Sequence, residues 1–215
     1  MIIKRKYSFV ITTILILILL SSTLLANANE AMIDIDVGEY GFVTIEESDL
    51  PEGVTPIEIK TEEQFLKVIE AIKVNEAMIE EHNIVTKSTE DDFSIMSTNE
   101  HVSSSKGLSL IVYNPSTGEE VWALSKLNVW ANFDVFKIDI PKQTIINKEN
   151  SSGVGLSGYT LGLSISDGEA FTNIASNKLS AFVRGDATLN YYLLIDGLIR
   201  LYSTPVNHSF TYNPN

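Results

Sequence analysis

The chain of 215 residues contains no cysteine. It can therefore form no disulfide bond, carry no lipid on an N-terminal cysteine and use no thiol as a nucleophile. Histidine is also scarce, and His82, His101 and His208 lack the paired spacing of a zinc-binding helix. The sequence therefore predicts no metal site, and it indicates no other cofactor.

Motifs that would support an enzyme are missing or incomplete. No G-x-S-x-G sequence is present to expose a serine nucleophile. Residues 153–158 match G-x-G-x-x-G, but the residues that follow are typical of a strand, whereas a dinucleotide site requires a helix. We therefore interpret the match as a loop between strands. Glu119, Glu120 and Asp134 are candidates for a glycosidase carboxylate pair by position alone. We predict that the protein is not an enzyme, and an enzyme acting on carbohydrate is the nearest catalytic alternative.

Positive charge is also in short supply, since 15 Lys and Arg face 28 Asp and Glu, for a formal net charge of −13. Such a balance disfavours nucleic acid and anionic lipid as partners, because both require basic residues to neutralise phosphates. The acidic surplus is concentrated in residues 29–100, with 19 acidic residues and 4 lysines, whereas residues 101–215 hold 9 acidic and 8 basic residues. This abrupt change in net charge along the chain predicts two segments with different roles.

Only the N-terminus contains a long apolar run. Basic residues at positions 4–6 precede the apolar stretch 9–20, and the small-residue sequence Ala26-Asn27-Ala28 follows. This order predicts a signal peptide over residues 1–28 that is cleaved after Ala28, and hence an extracellular protein. The alternative is an uncleaved membrane anchor, because the apolar stretch approaches the roughly 20 residues that a spanning helix needs.

The acidic segment, residues 29–85, is predicted to be a small α/β unit. Ile57–Ile59 has the composition of a short strand. A helix is predicted to follow it and to run to about residue 81. Thr61 is the expected N-cap, and Gln64 lies three residues later, as in a capping box.

The remainder of the chain is predicted to be a polar linker, residues 86–106, followed by an antiparallel β-domain, residues 107–215. Turn sequences occur at residues 114–118, at Asp167-Gly168 and at Asp196-Gly197. The last is the clearest, because Asp-Gly favours the type I′ turn of a hairpin. The spacing of about seven or eight short strands predicts a β-sandwich or a barrel-like domain, in a chain that is mainly β and α+β overall.

One predicted strand alternates between two kinds of side chain. Its odd positions, 127–135, are all apolar and predict a core face. Its even positions place an aromatic ring among amide and carboxylate groups, which is typical of a site that binds sugar or peptide. These candidate ligand-binding residues are Asn128, Trp130, Asn132 and Asp134. The alternative is that a loop or the acidic segment covers Trp130, whereas Trp122 is predicted to lie in the core.

The general plan is similar to that of many small secreted proteins of Gram-positive bacteria. We expect a secreted, non-enzymatic protein whose β-domain binds an extracellular glycan or protein. The alternative is a pro-protein whose acidic segment is removed to release a membrane-active or antibacterial domain. The change in charge between the two segments and the linker between them motivate this alternative. Residues 157–166 also have the pattern of a membrane-inserting hairpin, because one face of their predicted strand is apolar and the other carries small polar residues. A membrane is therefore a partner only if the β-domain inserts or the signal segment stays uncleaved.

Overall fold

The computed structural model describes residues 36–77, 83–86, 97–114, 117–139 and 142–215. The predicted signal peptide lies outside these residues, and so do the end of the predicted helix and part of the predicted linker. Two single-turn 3₁₀ helices, Val37–Tyr40 and Glu47–Asp49, occur near the start. In chain order the other elements are β1 (Val43–Ile45), β2 (Ile57–Ile59), α1 (Glu62–Ala77), β3 (Asn83–Thr86), β4 (Ser97–Tyr113), β5 (Glu120–Asp139), β6 (Lys142–Gly158), β7 (Leu163–Ile174), β8 (Ala181–Ile195) and β9 (Leu198–Asn213).

The strands form two sheets that pack face to face. In the first sheet, β8 and β9 form a central hairpin, β2 and β7 pair with β8, and β1 and β3 pair with β9. The second sheet is an antiparallel meander in the order β4-β5-β6. The pairs β2–β8 and β3–β9 are parallel, and all other pairs are antiparallel among the described strands. The predicted mainly β fold is therefore confirmed, and of its two alternatives the structure is a sandwich.

The inner faces of the two sheets form the core. Every odd position of β5 from 127 to 135 is fully buried, which confirms the predicted core face. Phe133 stacks on Tyr212 of β9, with ring centroids 5.4 Å apart. The sheets are in close contact at Gly185 of β8, where a methyl group would lie 2.6 Å from the side chains of Val129 and Val154. A residue without a side chain is therefore required at this crossing of the two sheets.

Helix α1 begins where the capping sequence predicts. The Thr61 hydroxyl accepts a hydrogen bond from the Gln64 amide at 3.2 Å, and the Gln64 side chain accepts one from the Lys60 amide at 2.8 Å. The apolar side of the helix, including Phe65 and Ile72, is buried in the same core cluster as Leu108 and Leu110 of β4. Among the described residues, no helix is both long and apolar enough to cross a membrane.

The described part of the acidic segment shares sheets with the rest of the chain. It supplies β1, β2 and β3 to the first sheet and α1 to the core. Residues 97–106, predicted as the end of the linker, instead form the first part of β4, which pairs with β5 along its length. The prediction missed this strand because the residues on its outer face are polar, so the segment has the composition of a loop.

Three local predictions about turns and loops had different outcomes. The Asp196-Gly197 hairpin turn is confirmed, with φ angles of 49° and 74°, as a type I′ turn requires. Asp167-Gly168 is not a turn but an irregularity within β7, where the register with β8 shifts between Ser166 and Glu169. The glycine motif at 153–158 is not a loop but the last part of β6.

The single amphipathic strand predicted over residues 157–166 is also wrong. Strand β6 ends at Gly158, and β7 begins at Leu163. The chain turns between them, with Gly162 at a φ of +66°. Glycine accommodates this left-handed backbone without strain. The prediction failed because the alternation of apolar and small polar residues continues in the sequence across this turn.

Candidate functional site

The four candidate residues lie side by side on the outer face of β5, which is the central strand of the second sheet. Asn128, Trp130, Asn132 and Asp134 are all half-buried, whereas their odd-numbered neighbours are fully buried. We call the surface around them the polar face. Its members on three adjacent strands are Asn99, His101, Ser103 and Ser105 of β4, the four candidates of β5, and Ser151, Gly153, Gly155 and Ser157 of β6.

Trp130 occupies the middle of the polar face. Its backbone neighbours are Ser103 on β4 and Gly153 on β6. The indole covers Gly153 so closely that a methyl group there would lie 2.5 Å from Cζ2 and 2.8 Å from Cε2. The His101 ring is also adjacent, with centroids 5.9 Å apart and planes inclined by 33°. The indole is therefore held by the sheet beneath it and is half-buried.

Two amide side chains flank Trp130 and link the strands. Asn132 Oδ1 lies 2.8 Å from His101 Nδ1, and Asn132 Nδ2 donates to the Ser151 hydroxyl at 2.9 Å. Asn128 Nδ2 donates to the Ser157 hydroxyl at 2.8 Å. These bonds give both amides a defined orientation on either side of the indole, as a preorganised binding surface requires.

Asp134 marks one end of the polar face. Its carboxylate accepts a hydrogen bond from Asn147 Nδ2 at 3.1 Å. The register between β5 and β6 shifts on both sides of Asp134, between Asn132 and Phe133 and again between Asp134 and Val135. These bulges in the pairing end the regular part of the face, because they change which β6 side chains lie opposite β5.

The polar face is uncharged along most of its length. Of the described residues that point outward between Lys126 and Asp134, none is Asp, Glu, Lys or Arg, and none is aliphatic. Hydroxyl, amide and imidazole groups surround the single indole. Such a surface can stack a ring on the aromatic face and exchange hydrogen bonds with neutral polar groups.

A groove lies further along the outer face of the sheet, between α1 and the β4–β5 hairpin. Its volume is about 290 Å³, and its lining includes Val74, Ile111 and Trp122. Trp122 is 61% exposed, so the prediction that it lies in the core is wrong. Its even position on β5, the same parity as Trp130, is the signal that could have placed it on the outer face.

An ion-pair cluster borders this groove. Lys67 Nζ contacts the carboxylate of Glu120 and lies 3.1 Å from that of Glu63. Hydrogen bonds to these two carboxylates raise the pKa of Lys67 above its ordinary value. Glu70 also lines the groove, so three carboxylates accompany one ammonium group.

The structure does not bring the candidate carboxylates together. Glu120 and Asp134 are 14 residues apart on β5, which corresponds to roughly 46 Å along a strand. Glu119 lies in the preceding turn, where its carboxylate accepts a hydrogen bond from the Thr117 hydroxyl at 3.2 Å. The carboxyl pair of a glycosidase is less than about 10 Å apart, so Asp134 does not form one with either glutamate.

The described histidines have separate environments. His208 is buried, and its Nε2 lies 2.9 Å from the Ser104 hydroxyl. His101 belongs to the polar face, and His82 lies outside the described residues. Within the described part of the chain, no group of three or more His, Cys, Asp or Glu residues could hold a metal ion.

Comparison with known protein families, with curated proteins and with solved structures finds no match to this chain. Over the residues that the structure describes, the fold defines the class of protein as a β-sandwich with one α-helix at its edge. The polar face and the adjoining groove are the features from which a function is inferred.

Proposed function

We propose that this protein is a secreted, non-enzymatic binding protein that recognises an uncharged extracellular glycan through the polar face. The observation that supports the proposal is the half-buried indole of Trp130 among oriented amide and hydroxyl groups. No cofactor is part of the proposal.

Sugar chemistry matches the groups that the polar face presents. A sugar ring has a face of C–H bonds that can lie on an indole, and hydroxyl groups around its edge that both donate and accept hydrogen bonds. Asparagine side chains carry an acceptor and two donors, and serine hydroxyls act in both directions. Asn128 and Asn132 lie one on each side of Trp130 along β5 and are placed to contact the edges of a ring stacked on the indole.

The composition of the face favours a glycan over a protein partner. Protein interfaces are typically enriched at their centres in several aromatic residues, methionine and arginine. The polar face instead has one aromatic residue, Trp130, besides the imidazole of His101, and its remaining members are small or amide-bearing. The outward positions between Lys126 and Asp134 carry no Lys or Arg, so an anionic polymer on this face would find cations at its two ends, Lys126 and Lys148, and none beside the indole, which disfavours it.

The orientation of the side chains supports binding without large rearrangement. Asn132 is held by His101 and Ser151, and Asn128 by Ser157. Ordering an exposed side chain on binding costs about 0.5–1.5 kcal/mol, and side chains that are already oriented avoid part of this cost.

The pro-protein alternative remains a prediction, but the position of the acidic segment counts against it. Cleavage near residue 100 would remove α1 and three strands of the first sheet. The core cluster that contains Leu108 and Leu110 would lose Phe65 and Val68 of the helix. The N-terminal sequence of the protein recovered from culture medium tests this alternative, because cleavage predicts a start near residue 100.

The proposal is tested by pull-down on insoluble chitin, cellulose and bacterial cell-wall preparations. We expect the wild-type protein to bind at least one of them, and Trp130→Ala to bind it at least about tenfold more weakly, which corresponds to about 1.4 kcal/mol. Phe171→Ala is the matched control, because Phe171 is 60% exposed on the outer face of the other sheet. Equal binding by wild type and Trp130→Ala, or no binding to any of the three, would contradict the proposal.

A further inference from the structure

Two indole rings lie on the same outer face of β5. Trp122 and Trp130 are separated by eight residues of one continuous strand, which corresponds to about 26 Å. Leu124, between them on the same face, is 67% exposed. Large exposed apolar side chains that line up in this way mark an interaction surface more often than chance exposure does.

The groove beside Trp122 combines an apolar wall with polar groups. Val74 and Trp122 form exposed parts of its wall, and Ile111 is buried beneath them. The ammonium group of Lys67 and the carboxylate of Glu120 meet at its edge, where both offer hydrogen bonds to hydroxyl groups. Its volume of about 290 Å³ is at the lower end of ligand sites, which suits a single small ring.

We infer that the ligand is a linear glycan that extends along β5 from Trp130 to Trp122, with one of its sugars in the groove between α1 and the β4–β5 hairpin. This inference rests on the proposed function and adds to it a second contact site and a minimum ligand length. A single sugar contacts one indole only, because the two rings are about 26 Å apart. A hexamer of β-1,4-linked sugars is long enough to bridge them.

The charges along this path favour an uncharged chain. The outward positions between Lys126 and Asp134 carry no Asp, Glu, Lys or Arg, and Lys126 itself is an exposed cation between the two indoles. At the groove, Glu63, Glu70 and Glu120 outnumber Lys67. An anionic glycan would therefore be repelled by the three carboxylates at the Trp122 end, and the ammonium group of Lys126 would offset only part of this repulsion.

The experiment measures affinity against chain length by isothermal titration. The probes are β-1,4-linked oligomers of N-acetylglucosamine and of glucose, from the monomer to the hexamer. The proteins are the wild type, Trp122→Ala, Trp130→Ala and the control Phe171→Ala. We expect wild-type affinity for one of the two series to rise between the trimer and the hexamer. Trp122→Ala should bind the trimer like wild type and lose about tenfold in affinity for the hexamer.

The outcomes separate this inference from the proposed function. If Trp130→Ala weakens binding while Trp122→Ala binds the hexamer like wild type, the inference is wrong and the proposed function stands. Equal losses by Trp122→Ala for trimer and hexamer would also contradict a distant second site. If wild type binds neither series, or Trp130→Ala changes nothing, both proposals fail. Trp122→Phe, which keeps an aromatic ring, should recover hexamer affinity, and thermal melting checks that each variant is folded.

Discussion

The two faces of strand β5 differ in their surroundings, and under the proposed function one face serves stability and the other recognition. Its odd positions from 127 to 135 are 0% exposed and pack against β8 and β9. Its even positions over the same length, from Asn128 to Asp134, carry amides, an indole and a carboxylate. Because side chains alternate strictly along a strand, each set can change without displacing the other. We therefore expect substitutions on the inner face to affect folding, and those on the outer face to affect binding.

The two faces differ in how well they tolerate substitutions, and the difference has a physical reason. The inner face must match the opposite sheet in shape, and a gap or an extra methyl group there costs free energy. The outer face faces solvent, and its hydrogen bonds cross-link strands that are already paired by their backbones. Under the proposed function, its side chains are therefore constrained mainly by the ligand.

The largest effect is expected from Phe133→Ala on the inner face. Phe133 is fully buried and stacks on Tyr212 with planes 11° apart. Its removal should lower the free energy of unfolding by about 3–5 kcal/mol, because it leaves a cavity between the sheets. Urea denaturation measures the loss. The control is Asn132→Ala at the adjacent outer position, which should lower the free energy of unfolding by less than about 1.5 kcal/mol. Equal losses for the two variants would contradict the expected difference between the faces.

A smaller loss of stability is expected from Gly185→Ala. The added methyl group would lie 2.6 Å from the side chains of Val129 and Val154, so the sheets must separate or the valines must move. We expect a cost of about 1–3 kcal/mol in the free energy of unfolding. Gly155→Ala is the matched control, because no heavy atom would lie within 4 Å of its methyl group. If both variants denature at the same urea concentration, the sheets are not in close contact at this position.

The smallest effect on stability, with a distinct effect on binding, is expected from Gly153→Ala. Its methyl group would lie 2.5 Å from the Trp130 indole, which can swing outward into solvent at a cost below about 1 kcal/mol. The displaced ring should weaken glycan binding severalfold and shift the tryptophan fluorescence. Phe171→Ala, on the outer face of the other sheet, is the control for binding and fluorescence, with neither change expected. Unchanged binding by a folded Gly153→Ala would show that the position of the indole over β6 does not matter.

Local signals predicted a substantial part of this fold. The alternation at 127–135, the Asp196-Gly197 hairpin and the cap formed by Thr61 and Gln64 all depend on residues close together in the chain. They are confirmed because short-range geometry dictates side-chain alternation, left-handed turn positions and helix starts. The placement of Trp130 on the outer face followed from the same alternation.

Other features escaped prediction because their causes lie on distant strands. The start of β4 has a loop-like composition, and only its pairing with β5 makes it a strand. The glycines at 153 and 185 are explained by Trp130 and by Val129, residues at least 20 positions away in sequence. The even position of Trp122 could have placed it on the outer face, but the open groove that leaves its ring exposed depends on the position of α1 beside the β4–β5 hairpin, which the sequence does not show.

The sequence alone was enough to specify a mainly β chain, its clearest hairpin, the start of its helix and a strand with one apolar and one polar face. These features depend on interactions within a few residues, which composition and spacing record directly. The joining of the acidic segment to the sheet, the indole over Gly153 and the groove beside Trp122 were decided by tertiary packing. They arise from contacts between strands and a helix far apart in the chain, and no local pattern encodes which of these elements will meet.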